Sequence, residues 1–202
     1  MFSLGLDIGS SSVKVALTET HTGKKIAFVQ EPKDEMEILS VHSSWAEQDP
    51  NHWWKIVCIA IKKLLQKSGV DASQVQRIGI AYQMHGLVVV DESGHCLRNS
   101  IIWCDSRAVS IGEKAYQDLG AKKCMNHLLN SPANFTASKL KWVKENEPHI
   151  YEKIHKYMLQ KREFKNHNPL FPLALARHLC PFTLALMRVF WQKKLKKTKF
   201  LF

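Results

Sequence analysis

No two cysteines in this chain form a CxxC pair. The five present (Cys58, Cys96, Cys104, Cys124 and Cys180) are odd in number and widely spaced. That pattern excludes a disulfide framework and a zinc-ribbon site, and it fits a reducing compartment, so cytoplasmic localisation is expected. No uninterrupted apolar run approaches the length needed to cross a bilayer, because Pro169, Pro172, Arg177, Pro181 and Arg188 break the most hydrophobic stretch. An exported chain would open with basic residues and then a continuous apolar segment, whereas Asp7 interrupts this N-terminus at once. Internal repeats are also absent, which argues against solenoid and propeller architectures.

Acidic residues and glycine run out along the chain. There is no Asp after Asp118 and no Gly after Gly120, and past Leu159 only Glu163 offsets the basic side chains. The formal net charge of +11 is therefore uneven: residues 1–158 hold 19 Lys+Arg against 17 Asp+Glu, or +2, and residues 159–202 hold 10 against 1, or +9. Two segments of different grammar are expected.

What is present begins with "FSLGLDIGSSSVKVAL". Leu4, Leu6 and Ile8 alternate as in a strand, Val13, Val15 and Leu17 as in a second, and Gly9 to Ser12 is short enough to be a hairpin link. "KKIAFVQE" predicts a third strand. In "DPNHWWKIVCIAIKKLLQKSG", Asp49 and Pro50 suit a helix start and Gly69 its end, with Trp53, Val57, Ala60, Ile61 and Leu64 on one face. Strands follow at Ile78–Ala81, Leu87–Val90 and Ser100–Trp103. Helical patterns then cover Asp105–Leu119, a segment from Thr136, and one opened by Pro148 that reaches about Met158. This order is an α/β arrangement.

A carboxylate at a strand end followed by glycine and small hydroxyl residues suits nucleotide phosphates. Gly9 lets the backbone approach closely, Ser10, Ser11 and Ser12 offer amides and hydroxyls, and Asp7 can hold Mg²⁺ directly or through water. An ordinary polar hairpin turn explains the same residues, and the motif alone does not separate the two. Taken singly, His85 reads as a loop residue, and Trp53, Trp54 and Trp103 read as core.

Four stretches decide more together: "GLDIGSSSVKVAL", "WAEQDPNHWW", "IGIAYQMHGLVVVDESGHCLRNSIIWCDSR" and "NFTASKLKWVKENEP". In order and spacing they resemble the FGGY family of carbohydrate kinases, and its xylulokinase branch most. The resemblance covers Leu4 to about Met158. It implies an actin-like, ribonuclease-H-like ATPase domain over 1–158, an incomplete first kinase domain, and ATP-dependent phosphorylation of a ketopentose, D-xylulose to D-xylulose 5-phosphate. By position, Asp7 resembles the family's Mg²⁺/phosphate aspartate, and Gly9, Ser10, Ser11, Ser12 and Lys14 its phosphate-cradling turn. Met84 and His85 match the Q-M-H-G pair that contacts the ketose, where glycerol kinases carry Arg-Glu. Trp103 and Asp105 match the W-x-D segment lining the sugar cleft, with Cys104 and Ser106 replacing the usual Asn and Gly.

The implied cofactors are ATP and Mg²⁺, and the implied partners are small molecules, with no specific nucleic acid, no membrane span, and a homodimer in the full-length form. In the second helical motif Asn134 and Ser138 replace the usual Gly and Pro; Lys139 and Trp142 are expected to support packing rather than catalysis. The family's catalytic base is an Asp lying well past residue 202, and most adenosine contacts lie in a second domain, so this chain alone is expected to be inactive. The resemblance ends near Leu159, where composition shifts. A frameshift or truncation accounts for both facts, and a genuine basic tail competes with it. In the first case the basic, apolar tail over 159–202 is expected to be poorly ordered; in the second the chain would be a non-catalytic sugar-binding module whose basic tail binds a membrane, RNA or a protein partner.

Overall fold

The computed structural model describes residues 1–158, and the expectations for the basic tail lie outside them. In chain order the elements are β1 (Phe2–Ile8), β2 (Val13–Glu19), β3 (Lys25–Glu31), β4 (Glu47–Gln48), α1 (Pro50–Ser68), β5 (Val75–Tyr82), β6 (Val88–Val90), β7 (Ser100–Ile101), α2 (Val109–Leu119), α3 (Ala121–Leu128), α4 (Thr136–Asn146), α5 (Pro148–Tyr151) and β8 (Lys156–Met158). Short 3₁₀ turns stand at Ala72–Gln74 and Pro132–Asn134. The contacts divide these residues into two compact units, one of Met1–Glu37 with Asn51–Gln83, the other of Ile38–Pro50 with 84–158.

The first unit is a four-stranded sheet in the order β3-β2-β1-β5. β1 to β3 form the antiparallel meander read from sequence, and β5 returns parallel to β1 after the α1 crossover. Strand alternation places Leu4, Leu6, Val13, Val15 and Leu17 on one face. They pack with Ile56, Val57, Ala60, Ile61 and Leu64, which recur at helical spacing along α1. Trp53 and Trp54 pack partly buried against this core, as expected of them. At the edge, Lys63 pairs with Glu31 at 2.6 Å and Lys67 donates to the Phe28 carbonyl at 3.1 Å.

The second unit has two short antiparallel pairs, β4 with β7 and β6 with β8, around Leu87, Val89, Ile101, Leu140 and Val143. A chain of ion pairs crosses it. Arg107 pairs with Asp105 and Glu47, each at 2.7 Å, and Arg98 pairs with Glu47 and Glu147. The Arg107 guanidinium lies 3.8 Å from the Trp45 ring centroid and 4.9 Å from that of Trp142. The two rings meet edge to face with centroids 5.2 Å apart, so this buried cation lies in the angle between them.

Three details differ from the periodicity. The segment opened by Pro148 is helical only to Tyr151; Lys156–Met158 instead pairs with Val88–Val90, and the His155 amide donates to the Val90 carbonyl at 2.9 Å. An available strand edge satisfies that backbone while Ile154 and Tyr157 join the core. α2 starts at Val109 rather than Asp105, because Asp105 folds back onto the Arg107 amide and side chain. Gly120, at φ +84°, separates α2 from a further helix, α3, that the spacing did not reveal. No helix of the described residues is long and apolar enough to cross a membrane.

Candidate functional site

The phosphate-type residues gather at one end of the first unit's sheet. Asp7 and Lys14 are register partners on β1 and β2, both about half exposed, with 3.6 Å between Oδ2 and Nζ. Beyond them the Gly9 amide donates to the Ser12 carbonyl at 3.0 Å and closes the turn, and the Met36 amide donates to the Ser11 carbonyl at 2.8 Å from outside it. A Cβ on Gly9 would stand 3.2 Å from the Ser12 carbonyl oxygen, so the turn is built for a residue without one. Ser11 is exposed, Ser10 half-buried, and Ser12 buried beneath the turn.

This arrangement fits a nucleotide phosphate with Mg²⁺. No group of three or more His, Cys, Asp or Glu converges among the described residues, so no all-protein cage is built. Mg²⁺ does not need one, since it is commonly held through one or two carboxylates together with substrate phosphates and water. Asp7 supplies an accessible carboxylate at the strand end, beside an uncluttered turn.

The residues that the resemblance assigns to the sugar, Met84, His85, Trp103 and Asp105, belong to the second unit. After β5, where the Gln83 amide closes on the Ile8 carbonyl at 3.2 Å, the chain enters Met84 and His85. Met84 is 64% exposed. His85 holds a left-handed backbone at φ +60°, a conformation disfavoured for any residue with a Cβ, and its ring stacks on Phe135 at 4.7 Å between centroids and 14° between planes. Burial, and then the charge of Lys139, hold the His85 imidazolium below its ordinary range. A neutral imidazole offers one donor and one acceptor, the pairing a sugar hydroxyl requires.

Trp103 is 46% exposed, unlike the core residue its type suggests, and its carbonyl accepts from the Asn134 amide. Asp105 is fully buried, with both oxygens engaged: Oδ2 accepts from the Ala46 amide at 2.6 Å, and Arg107 binds Oδ1 and Oδ2 through its backbone, Nε and Nη2. Its carboxylate holds the segment's backbone in place.

Two residues had no functional weight in the sequence. Lys139 is completely buried, and its Nζ donates to the His85 carbonyl at 2.9 Å and the Ile102 carbonyl at 2.8 Å. Burial pushes its pKa down to about 8, with the Arg107 charge adding to that effect and Asp105 and Cys104 opposing it. A lysine on an otherwise apolar helix face was the available signal. The second is Gln83, whose side-chain amide atoms are both buried without a hydrogen-bond partner.

The N-terminal domain model of the FGGY family of carbohydrate kinases matches residues 2–165. The chain belongs to that family. A xylulose kinase of Staphylococcus epidermidis is 35% identical over 159 residues, which are 78% of this chain and 30% of that protein. Among solved structures, a Brucella ovis xylulose-type kinase superposes with a TM-score of 0.70 at 31% identity, covering 79% of this chain and 32% of that one. A gluconate kinase from Lactobacillus acidophilus superposes at 0.67 and 26%, covering 78% and 31%. The mixed sheet with α1 across it is therefore this family's actin-like fold, and the chain spans about 30% of the length of the curated relatives it matches. FGGY kinases that differ in sugar share the framework almost equally, so framework alone does not select the substrate.

Proposed function

We propose that this chain is the ketose-binding and phosphate-binding first part of an ATP-dependent sugar kinase acting on D-xylulose, and that by itself it does not turn over. The observation that supports the sugar assignment most is His85: a neutral, Phe135-stacked imidazole held in a left-handed backbone beside an exposed Met84. Similarity to xylulose kinases across 78% of the chain points the same way.

In the reaction a primary hydroxyl oxygen of the ketose forms a bond to the γ-phosphorus as the bond to the β,γ-bridging oxygen breaks, and the hydroxyl proton passes to a base. Within this chain, Met84, His85 and Trp103 orient the sugar, and Asp105 acts through the backbone it secures. The Gly9–Ser12 turn and Lys14 receive phosphate oxygens, and Asp7 holds the metal. Mg²⁺, when bound with ATP, supplies charge neutralisation on the phosphates. The base and most of the adenosine site are assigned by resemblance to sequence beyond residue 202, and the resemblance implies a homodimer for the full-length form; a cytoplasmic site of action accords with the cysteine spacing.

The test is ADP release dependent on D-xylulose, measured for the 202-residue chain and for a chimera joining residues 1–158 to the remaining part of the Staphylococcus epidermidis relative. The chain alone should show none and the chimera should turn over. In the chimera, His85→Ala should raise the D-xylulose KM by roughly tenfold, the effect of leaving a buried polar partner unpaired. Robust turnover by the isolated chain would overturn the proposal that it is inactive. Equal losses with D-xylulose and glycerol would remove His85 from sugar recognition.

A further inference from the structure

The first turn of α4 reaches the sugar-side loop through three side chains. Phe135, immediately before the helix, stacks on the His85 ring; Thr136 Oγ1 donates to the Gly86 carbonyl at 3.2 Å; and Lys139 Nζ donates to the His85 carbonyl at 2.9 Å. Lys139 also takes the Ile102 carbonyl at 2.8 Å, and Asn134 takes that of Trp103, so the second sugar-side segment hangs from the same stretch of chain. We propose that Lys139 is a positioning residue for sugar binding, holding the His85 loop and the Trp103 segment in mutual register through these two carbonyls. This inference rests on the reading of His85 as a sugar contact.

Two physical costs point to function rather than packing. A fully buried ammonium carries a desolvation penalty that an apolar side chain of the same length, such as Met, avoids. A non-glycine residue in the left-handed region also persists only where its surroundings over-determine it. The first cost falls on Lys139 and the second on His85, and the two residues meet at the hydrogen bond from Nζ to the His85 carbonyl. If this lysine only filled space, an apolar residue would serve better. Its use here is that one donor head on a long stem reaches two carbonyls that come from different stretches of chain, 54 and 37 residues away in sequence. Even when the amine is neutral it retains two N–H donors, one for each carbonyl, so the clamp survives loss of the proton.

The experiment uses the 202-residue chain labelled with ¹³C-histidine, its His85 signal assigned by His85→Gln. Lys139→Met keeps the volume and removes the donors. It should displace the His85 ring signal, which Phe135 stacking shifts, and weaken D-xylulose binding roughly tenfold, without lowering the unfolding midpoint in proportion. An unmoved His85 signal and unchanged affinity in Lys139→Met would overturn the proposal. If that variant does not fold, Thr136→Val and Phe135→Leu take its place, and unchanged His85 signals and affinities in both would overturn the clamp. If wild type binds no D-xylulose while Lys139→Met still displaces the His85 signal, the placement of His85 by Lys139 stands and the sugar reading of His85 falls.

Discussion

Asp105 Oδ2 accepts a 2.6 Å hydrogen bond from the Ala46 amide, joining the W-C-D segment to the W-A-E-Q segment across 59 residues of sequence. Two stretches that stand out separately in the sequence are thus one structural element. Their bond is completed by Arg107, which binds the same carboxylate at 2.7 Å and carries the ion pairing on to Glu47. Asp105→Asn leaves a buried guanidinium short of one counter-charge. The variant should lose on the order of 3 kcal/mol of stability, read from urea unfolding. A variant of unchanged stability would show that Asp105 is available for another role.

Asp7 should behave oppositely. It and Lys14 are about half exposed and 3.6 Å apart, so their pairing is screened by solvent. Asp7→Asn should alter stability by no more than about 0.5 kcal/mol while sharply reducing ADP release in the full-length chimera. Urea midpoints and turnover measured on the same preparations separate the two effects.

Gly112 lies inside α2 with no unusual backbone angle, yet a Cβ there would fall 2.3 Å from the Ala133 Cα and 2.5 Å from the Pro132 carbonyl oxygen. Gly112→Ala must push α2 away from the 3₁₀ turn that leads into Phe135, and should cost about 1–3 kcal/mol. Gly79→Ala, where a Cβ meets nothing within 4 Å, is the control and should be close to neutral. Thermal unfolding of the two variants provides the comparison.

The buried Lys139 predicts a pH dependence of definite sign. Its folded-state pKa is pushed down to about 8, below the ordinary lysine range of the unfolded chain. Between those two values the unfolded chain binds more protons, so this group makes stability rise with pH in that window. Below about 8 the amine is charged in both states and its desolvation cost is constant. The stability of wild type relative to Lys139→Met should therefore increase as pH is raised above about 8, as measured by urea titrations on either side of it.

Where local periodicity and tertiary packing agreed, sequence reading sufficed. The β1–β2 hairpin, the α1 boundaries at Pro50 and Ser68, and the start of α4 at Thr136 follow from alternation, helical spacing and end signals. Reading failed where a distant partner outcompeted local preference. Lys156–Met158 gave up helix for the edge of β6, and Asp105 gave up a helix start for Arg107 and Ala46.

For the candidate site, the order and spacing of "LDIGSSS", "QMHG" and "WCDSR" made Asp7, His85 and Trp103 candidates through their resemblance to a family pattern, whereas each taken singly has an ordinary structural reading. Their different circumstances belong to the fold. Tertiary structure left Asp7 accessible, buried Ser12 and Asp105, and exposed Trp103; it also set His85 against Phe135 and converted Lys139 from a surface-type residue into a buried clamp. The physical reason is range. Alternation and capping act over a few residues and are written locally, whereas burial, counter-charges and carbonyl partners are supplied by segments tens of residues away, and exist only once the chain has closed on itself.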